Sequence, residues 1–428
     1  MEAIILAAGL GTRLRPLTEN FPKPLLKVAG RELLYRHLHL LSEGPIEHFI
    51  IVINPQHEAF YREFLAKHPR FSCTLVKNPH PERGNGYSFF LAKDHVSGPF
   101  VLTMGDHVYE KDFVREALGL NGLVIDREGR FIDPQEATKA LCQGGRVVSL
   151  GKDLSSYTGF DTGFFILEPG VFSTAEKLLR EKQKVNLSEI MEKAQIPCSE
   201  LSGRFWMDVD TPQDLRRATK LLIKTAVKES GDGFISRHLN RKVSTWCSSF
   251  LVDYLSPNAA TLLTSFLGLL AASLLYWSPK AAALLYQLSS MLDGIDGEIA
   301  RASLRESPFG GWLDSVLDRF VDFAFLLGLY LLLNPVSPWQ QAVALLAFFG
   351  SLMVSYTAER FKGAFGRDIY SEIPLLRKLP GKRDERVFFI MICVLSGHLW
   401  EIFWVLALVT NLRVLLTLIL VARKKARG

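Results

Sequence analysis

Four aspartates with regular spacing lie in the most apolar part of the chain, at Asp293, Asp296, Asp314 and Asp318. Asp314 and Asp318 are four residues apart and share one face of a helix, and Asp293 and Asp296, three apart, share another. Because a charge is costly at membrane depth, ionisable side chains there indicate a functional site. Two helices that present such pairs to each other would bind a divalent cation. Oxygen-only ligands favour Mg²⁺ or Mn²⁺ over zinc.

Four further residues, Gly297, Ala300, Arg301 and Gly310, complete the pattern D-x2-D-G-x2-A-R-x8-G-x3-D-x3-D. This pattern resembles, without a departure, the signature of the CDP-alcohol phosphatidyltransferases. The resemblance implies that the first three aspartates bind metal, and that Asp318 joins the metal site as the base that deprotonates the acceptor hydroxyl. The two glycines would let the nucleotide diphosphate approach the backbone, and Arg301 would neutralise its charge.

A glycine-rich loop, with Gly9, Gly11 and Thr12, follows the apolar strand predicted at the start of the chain. Backbone N–H groups in such a loop can contact phosphate, and Arg13 and Lys23 add cationic charge. The run L-A-A-G-x-G-T-R-L-x-P-L-T-x3-P-K-P-L resembles the nucleoside-triphosphate transferases that build sugar nucleotides. Short apolar segments alternate with helical ones, which predicts a Rossmann-like α/β domain with a mostly parallel sheet.

Further segments resemble the same family. The resemblance implies that Asp106, at the end of a strand, is a Mg²⁺ ligand. A second metal acid lies in residues 206–212, where Asp208 is favoured and Asp210 stays open. An acceptor phosphate would attack the α-phosphorus of the nucleoside triphosphate, with Arg13 and Lys23 assisting. The nucleophile is already an anion, so no side-chain base is required.

Two segments have a less specific resemblance. Gly84, Asn85 and Gly86 lie where the family packs a loop on the nucleobase, although a simple Asn-Gly turn is the alternative. Residues 161–165 match the family's strand near the sugar or alcohol, and a plain edge strand is the alternative.

The composition divides the chain of 428 residues into a soluble and an apolar part. We predict a cytidylyltransferase domain at 1–229, an amphipathic interfacial helix and linker at 230–256, and a phosphotransferase membrane domain at 257–428. The net charge of +6 lies largely in residues 360–386 and 423–427, which suits a membrane surface and phosphate ligands better than nucleic acid. The five cysteines are isolated, which predicts reduced thiols in a cytosolic domain, and no signal peptide is expected.

The apolar part predicts an all-α polytopic domain of six transmembrane helices. The predicted spans are 259–277, 281–291, 312–333, 339–358 and an apolar region, 387–422, that is broken near Gly397 into two. Six spans place both basic clusters on one side, so the N-terminal domain and the C-terminus are predicted to be cytoplasmic in a multi-pass cell-membrane protein. Residues 230–233 break the preceding helix, and residues 234–254 read as an amphipathic helix at the cytoplasmic interface. A surface helix docked on the soluble domain is the alternative.

Four cations form the nearest basic surroundings of the acidic pattern, namely Arg360, Lys362, Arg383 and Arg386. A phosphorylated acceptor would need such residues. Binding to anionic lipid head groups or to water is the alternative.

The fusion of the two domains restricts their substrates. Because the second domain consumes a CDP-alcohol, the nucleotide of the first is CTP. A chain with these domains in this order resembles the bifunctional inositol-1-phosphate cytidylyltransferase / di-myo-inositol-phosphate phosphate synthases of hyperthermophiles. That resemblance alone implies CDP-inositol as the intermediate and di-myo-inositol phosphate phosphate as the product, with Mg²⁺ or Mn²⁺ in both domains and a homodimer formed through the membrane helices.

Two alternatives stay open at this stage. A cytidylyltransferase fused to a phospholipid synthase would transfer a polar alcohol phosphate to a lipid hydroxyl, and would need an acceptor groove that opens to the bilayer. A membrane half that is only an anchor would not need the intact acidic pattern, which argues against it.

Overall fold

The computed structural model describes residues 1–228 and 233–425, apart from the side chain of Lys425. The chain divides into two compact units, Met1–Leu222 and Ile223–Gly428. Three of the four residues predicted to break the chain, 230–232, lie outside the described residues.

The first unit contains a nine-stranded sheet with two small two-stranded sheets beside it. The strands are β1 Glu2–Ala7, β2 Lys27–Val28, β3 Arg31–Glu32, β4 His48–Ile53, β5 Cys73–Lys77, β6 Phe100–Met104, β7 His107–Tyr109, β8 Gly122–Asp126, β9 Lys139–Gln143, β10 Arg146–Gly151, β11 Gly159–Leu167, β12 Cys198–Glu200 and β13 Trp206–Asp208. The main order is β10-β9-β11-β6-β1-β4-β5, with β8 paired to β11 and β12 paired to β8. Strand β13 pairs with β7, so Asp208 lies opposite His107.

The predicted mostly parallel sheet was wrong, because the sheet is mixed. Strands β6, β1, β4 and β5 are parallel to one another, whereas β11 is antiparallel to β6, β8 and β9. Strands β9 and β10 are joined by Gly144 and Gly145, both at positive φ, of 57° and 73°. Two such residues in a two-residue turn favour a hairpin, whose strands are necessarily antiparallel.

Seven helices accompany the strands of this unit: α1 Leu33–Ser42, α2 Glu58–Lys67, α3 Asn85–Leu91, α4 Lys111–Ala117, α5 Val171–Glu181, α6 Leu187–Ala194 and α7 Pro212–Thr225. Strand β1 is apolar and buried at Ile4 and Ile5, as expected for a central strand. In the core, the ring of Phe89 stacks on that of Phe172 with centroids 4.5 Å apart. The ring of Phe172 also stacks on that of Phe100, the first residue of β6, with centroids 5.4 Å apart.

The prediction that the cysteines are reduced thiols was wrong for two of them. Cys142 on β9 and Cys198 on β12 form a disulfide, although 56 residues separate them. Cys73, Cys247 and Cys393 are free. The sequence spacing did not reveal the pair because the two cysteines meet only through the tertiary packing of strands that are distant in sequence.

The second unit is helical throughout the part of it that the structure describes. A π-helical turn, Ser236–Asn240, precedes the helices α8 Arg241–Leu251, α9 Pro257–Leu274, α10 Pro279–Leu292, α11 Ile295–Ala302, α12 Pro308–Leu333, α13 Pro338–Phe365, α14 Ile369–Glu372, α15 Arg383–Ser396 and α16 Leu399–Lys425. Helices α9, α10, α12 and α13 each begin with a Ser-Pro pair, which places serine at the N-cap and proline at the first helical position.

In the part of the chain that the structure describes, three helices are long and apolar enough to cross a membrane: Pro257–Leu274, Pro338–Phe365 and Leu399–Lys424. Helix α12 has the length to do so but carries acids in its first half, and α10 and α15 have 14 residues each. The predicted break near Gly397 is confirmed, since α15 ends at Ser396 and Gly397 has a φ of 85°.

Helix α8 is amphipathic, with its polar side buried and its aromatic side exposed. A helix that packs on an apolar core has the opposite arrangement. Ser244 and Ser248 are buried, whereas Trp246 and Phe250 are 65% and 56% exposed. A helix with its polar side inward and its aromatic side outward is suited to contact lipid.

Candidate active sites of the two units

Of the two glycines in the glycine-rich loop of the first unit, Gly11 is required by the backbone conformation and Gly9 is not. Gly11 has a φ of 58°, and a Cβ there would lie 3.2 Å from the Cβ of Lys23. A Cβ at Gly9 would meet nothing within 4 Å. Thr12 begins a short 3₁₀ turn, and the hydroxyl of Thr18 donates to the carbonyl of Gly11 at 2.6 Å. The conformation therefore requires glycine at 11, and leaves open space at 9.

Lys23 lies at the centre of the predicted site. Its buried ammonium is 2.7 Å from Asp106 Oδ2 and 2.6 Å from Asp210 Oδ1. Arg13 also pairs with Asp210, and it lies 3.4 Å from Glu136. Of the two acids that the sequence left open, Asp210 is thus the one that contacts both predicted cations.

Asp208 has a different environment from that of Asp210. Burial raises the pKa of Asp208, His107 opposes this rise, and the neighbouring Asp210 and Asp106 add to it. Among the described residues Asp208 forms no salt bridge. A buried carboxylate with acidic neighbours and no cation is a position where a divalent ion would relieve electrostatic repulsion. Asp106 and Asp208 therefore have the donor chemistry for a hard divalent cation, and their role as metal ligands stays a prediction.

His107 and Asp161 complete this cluster. Burial alone would raise the pKa of Asp106, but Lys23 and the His107 ring, 2.9 Å away, hold it well below its ordinary value. Burial raises the pKa of Asp161 to about 6, although the backbone N–H of Gly163 donates to it at 2.8 Å. A Cβ at Gly163 would lie 2.6 Å from His107 Nε2, so glycine there makes room for the ring.

The loop predicted to pack on the nucleobase has internal packing partners. A Cβ at Gly84 or Gly86 would lie 2.4 or 2.7 Å from the carbonyl oxygen of Val185. The side-chain oxygen of Asn85 accepts from the N–H of Leu187 at 2.7 Å. Close backbone approach thus accounts for both glycines, and a role of this loop in nucleotide binding stays a prediction.

Three of the four acids predicted for the site of the second unit lie close together. One carboxylate oxygen from each of Asp293, Asp314 and Asp318 lies within 4.8 Å of the others. Asp293 follows α10, and the other two lie on α12. Asp296, at the start of α11, accepts from Thr261 Oγ1 at 2.6 Å. Three carboxylates at this separation form a donor set suited to a hard divalent cation.

The acids line two cavities. The larger, of about 810 Å³, is lined by Asp296 and Asp314 together with Gly297, Arg301 and Gly310. Five residues of the predicted signature thus surround one space large enough for a nucleotide.

The smaller cavity, of about 260 Å³, is lined by Asp293 and Asp318 together with Lys382 and Arg383. Arg383 Nη1 lies 2.8 Å from Asp293 and 2.9 Å from Asp318. Sequence reasoning missed Lys382. Its position directly before Arg383, in a basic cluster, was the one signal for it in the sequence.

The other predicted acceptor cations have different environments. Arg386 is buried and pairs with Asp322 at 3.1 Å. Lys362 lines the larger cavity. Arg360 is exposed and lines neither of the two cavities. Asp322, unassigned in the sequence analysis, also accepts from Arg383 Nε at 3.1 Å, and so orients both arginines.

Sequence reasoning also missed Glu298, which follows Gly297 in the signature. It is 0% exposed and accepts from Ser244 at 2.6 Å, Ser248 at 2.7 Å and Arg241 at 3.1 Å. These donors all lie on α8. The carboxylate therefore fixes α8 to the helix that carries Asp296 and Arg301.

Comparison with known proteins agrees with this division. Residues 2–118 match the family described as nucleotidyl transferase, and residues 254–418 match the family described as CDP-alcohol phosphatidyltransferase. The fold and the two sites define an enzyme with a nucleotidyltransferase domain and a CDP-alcohol phosphotransferase domain.

Three relatives extend the similarity over nearly the whole chain. The bifunctional IPC transferase and DIPP synthase of Aquifex aeolicus is 53% identical over 99% of this chain and 98% of its own. That of Thermococcus kodakarensis is 49% identical over 99% and 98%, and that of Archaeoglobus fulgidus is 47% identical over 99% and 85%. The chain belongs to the family of bifunctional IPC transferases and DIPP synthases.

Proposed function

We propose that the first unit converts CTP and inositol 1-phosphate into CDP-inositol and pyrophosphate. The second unit then transfers the inositol phosphate group of CDP-inositol to a second inositol 1-phosphate, which gives di-myo-inositol phosphate phosphate and CMP. The names of the full-length relatives support these substrates.

The observation that carries the proposal is the position of the acids at two cavities. Asp296 and Asp314 line the larger cavity, and Asp293 and Asp318 line the smaller one. A donor nucleotide in the first and a phosphorylated acceptor in the second would meet at one set of carboxylates. An anchor without catalytic activity would need no such arrangement.

Mg²⁺, or Mn²⁺, would be held by Asp293, Asp296, Asp314 and Asp318. When bound, the metal would neutralise charge on the diphosphate and act as a Lewis acid. Arg301 would bind diphosphate oxygens, and Asp318 would accept the proton of the attacking hydroxyl as that oxygen bonds to the β-phosphorus and CMP leaves.

In the first unit the predicted phosphate ligands are the loop residues Gly9, Gly11 and Thr12 with Arg13 and Lys23. The ammonium of Lys23 would stabilise charge that develops at the α-phosphorus. The residues Gly84, Asn85 and Gly86 are proposed to contact the cytosine, and Asp106 and Asp208 to hold the metal.

The acceptor phosphate is proposed to bind the basic residues of the smaller cavity. Arg383 and Lys382 line this cavity, and Asp322 orients Arg383. Lys362 lines the larger cavity and would act there, Arg360 would act only from the exposed surface, and Arg386 would act through Asp322. This refines the four cations of the sequence analysis by adding Lys382.

We further propose that α9, α10, α12, α13, α15 and α16 are six transmembrane helices and that the chain forms a homodimer through them. The N-terminal unit and the C-terminus would be cytoplasmic, with α8 at the membrane surface. The outward aromatic residues Trp246 and Phe250 support that position of α8.

A phospholipid synthase is the second candidate, because one cavity has an apolar lining. It has a volume of about 300 Å³ and is lined by Phe323, Leu345 and Phe349 beside Arg319 and Asp322. A lipid hydroxyl would need a groove of this kind next to the acids.

The test uses the full-length chain in detergent with CTP, Mg²⁺ and inositol 1-phosphate, and identifies products by ³¹P NMR. The wild type is expected to form the phosphodiester, whereas Asp318→Asn is expected to accumulate CDP-inositol. Asp253→Asn, an exposed aspartate outside both cavities, is the matched control. Full phosphodiester formation by Asp318→Asn would refute the proposal. A lipid-linked phosphodiester, formed only when diacylglycerol vesicles are added, would favour the second candidate.

A further inference from the structure

The segment that follows helix α7 reaches the larger cavity of the second unit. Arg301 Nε donates to the carbonyl oxygen of Ala226. Lys228, two residues further on, lines the cavity together with Gly297, Arg301 and Gly310. Both residues lie outside the signature, and the sequence analysis placed them in the first domain, at 1–229.

The bond to Ala226 leaves most of the Arg301 guanidinium available. A Cβ at Gly297 would lie 2.9 Å from Nη1 and 3.1 Å from Nη2, so the fork lies against this glycine. Within the described ranges these two nitrogens have no hydrogen-bond partner. A guanidinium that is fixed at Nε presents its remaining N–H groups in a defined plane, which suits two oxygens of a diphosphate.

Lys228 adds a positive charge to the lining of this cavity. It is exposed, and it forms no salt bridge within residues 1–228 and 233–425. An ammonium that borders a cavity beside Arg301 favours an anionic ligand there. At an exposed position its contribution is modest, on the order of a three- to tenfold change in affinity.

We infer that residues 226–228 are part of the CDP-alcohol site of the second reaction. The carbonyl of Ala226 orients Arg301, and Lys228 binds the diphosphate of the nucleotide. This inference rests on the proposed function of the second unit. It makes the first residues of the second unit, which follow α7, a component of its nucleotide-binding site.

The test compares Lys228→Ala with Lys224→Ala, a matched control on the exposed side of α7 that does not line the cavity. CMP release by the full-length chain is measured with supplied CDP-inositol at varied concentration and saturating inositol 1-phosphate. Lys228→Ala is expected to raise the KM for CDP-inositol about three- to tenfold with kcat within twofold. Lys228→Arg is expected to restore the wild-type KM, and Lys224→Ala to leave it unchanged.

Three outcomes would overturn the inference: an unchanged KM in Lys228→Ala, an equal rise in Lys224→Ala, or a lower kcat at constant KM. The same assays in nanodiscs with neutral or anionic lipids test the lipid alternative. An effect of Lys228→Ala that occurs only with anionic lipid would show that this lysine binds head groups, and would also overturn the inference. If the wild type releases no CMP from CDP-inositol, the proposed function fails instead.

Discussion

Removal of the Glu298 carboxylate should loosen helix α8 from the signature helix α11. The side chain is fully buried and is the acceptor for Ser244, Ser248 and Arg241. Arg241 also lies against Gly294, where a Cβ would be 2.2 Å from its Nη1. The contacts of α8 therefore meet α11 at the residues next to Asp293 and Asp296.

The expected cost follows from the nature of these bonds. Each hydrogen bond to a charged group contributes about 1.5–3 kcal/mol, and removing one partner of a buried ion pair costs about 3–5 kcal/mol because the other charge is left unpaired. For Glu298→Ala we take about 3 kcal/mol, which corresponds to a rise of about 10²-fold in the population of undocked α8.

Cys247 provides the assay, since this half-buried thiol lies on α8 between the two serines. Its maleimide labelling, followed by peptide mass spectrometry, is expected to accelerate up to about 10²-fold in Glu298→Ala. CMP release should fall in parallel, while the first reaction is unchanged. Ser249→Ala is the control, because this exposed hydroxyl bonds only within its own helix, to Trp246. Labelling of Glu298→Ala at the wild-type rate would refute the reasoning.

Three further predictions concern the first unit. Lys23→Met should slow formation of CDP-inositol by about 10²- to 10³-fold, because it removes a group that stabilises developing charge. The second reaction on supplied CDP-inositol should keep its rate. Equal losses in the two reactions, measured by ³¹P NMR, would contradict this prediction. Burial raises the pKa of Asp161 from 3.8 to about 6, so its ionised form costs the folded state about 3 kcal/mol above about pH 6 and nothing below about pH 4. Asp161→Asn should therefore raise the unfolding temperature of the first unit at pH 8 and leave it unchanged at pH 4, and equal shifts at both pH values would argue against the raised pKa. Cys142→Ser should lower the free energy of unfolding of this unit by about 2–4 kcal/mol, and dithiothreitol should do the same to the wild type. Cys73→Ser is the control and should leave it unchanged. If dithiothreitol has no effect, Cys142 and Cys198 are not joined.

Local patterns predicted the elements that carry the acids better than they predicted the sheet. The spacing of Asp314 and Asp318 predicts a shared helix face, and the structure places both on α12 near Asp293. The antiparallel pairing of β9 with β10 was not predicted, because the Gly144-Gly145 turn was not recognised as a hairpin signal. The Ser-Pro pairs that begin four helices were a further local signal, because they mark where these helices start. The apolar composition of the segments did not define these starts.

Partners that are distant in sequence could not be predicted. The disulfide of Cys142 depends on the pairing of β12 with β8, and the partners of Glu298 lie about 50 residues before it. The contact of Lys23 with Asp210 joins residues 187 apart. Each depends on tertiary packing, whereas a motif records only residues that are close along the chain.

Helix α8 makes the environment of the chain relevant to catalysis. Its exposed indole and phenyl rings need a hydrocarbon neighbour, while its hydroxyls hold the residue that follows Gly297. Removal of annular lipid would weaken the outer side of this helix, and the disturbance would reach Arg301, the proposed ligand of the diphosphate, within one helical turn. Turnover of the second reaction should thus be higher after reconstitution into bilayers than in a short-chain surfactant, even though both of its substrates dissolve in water.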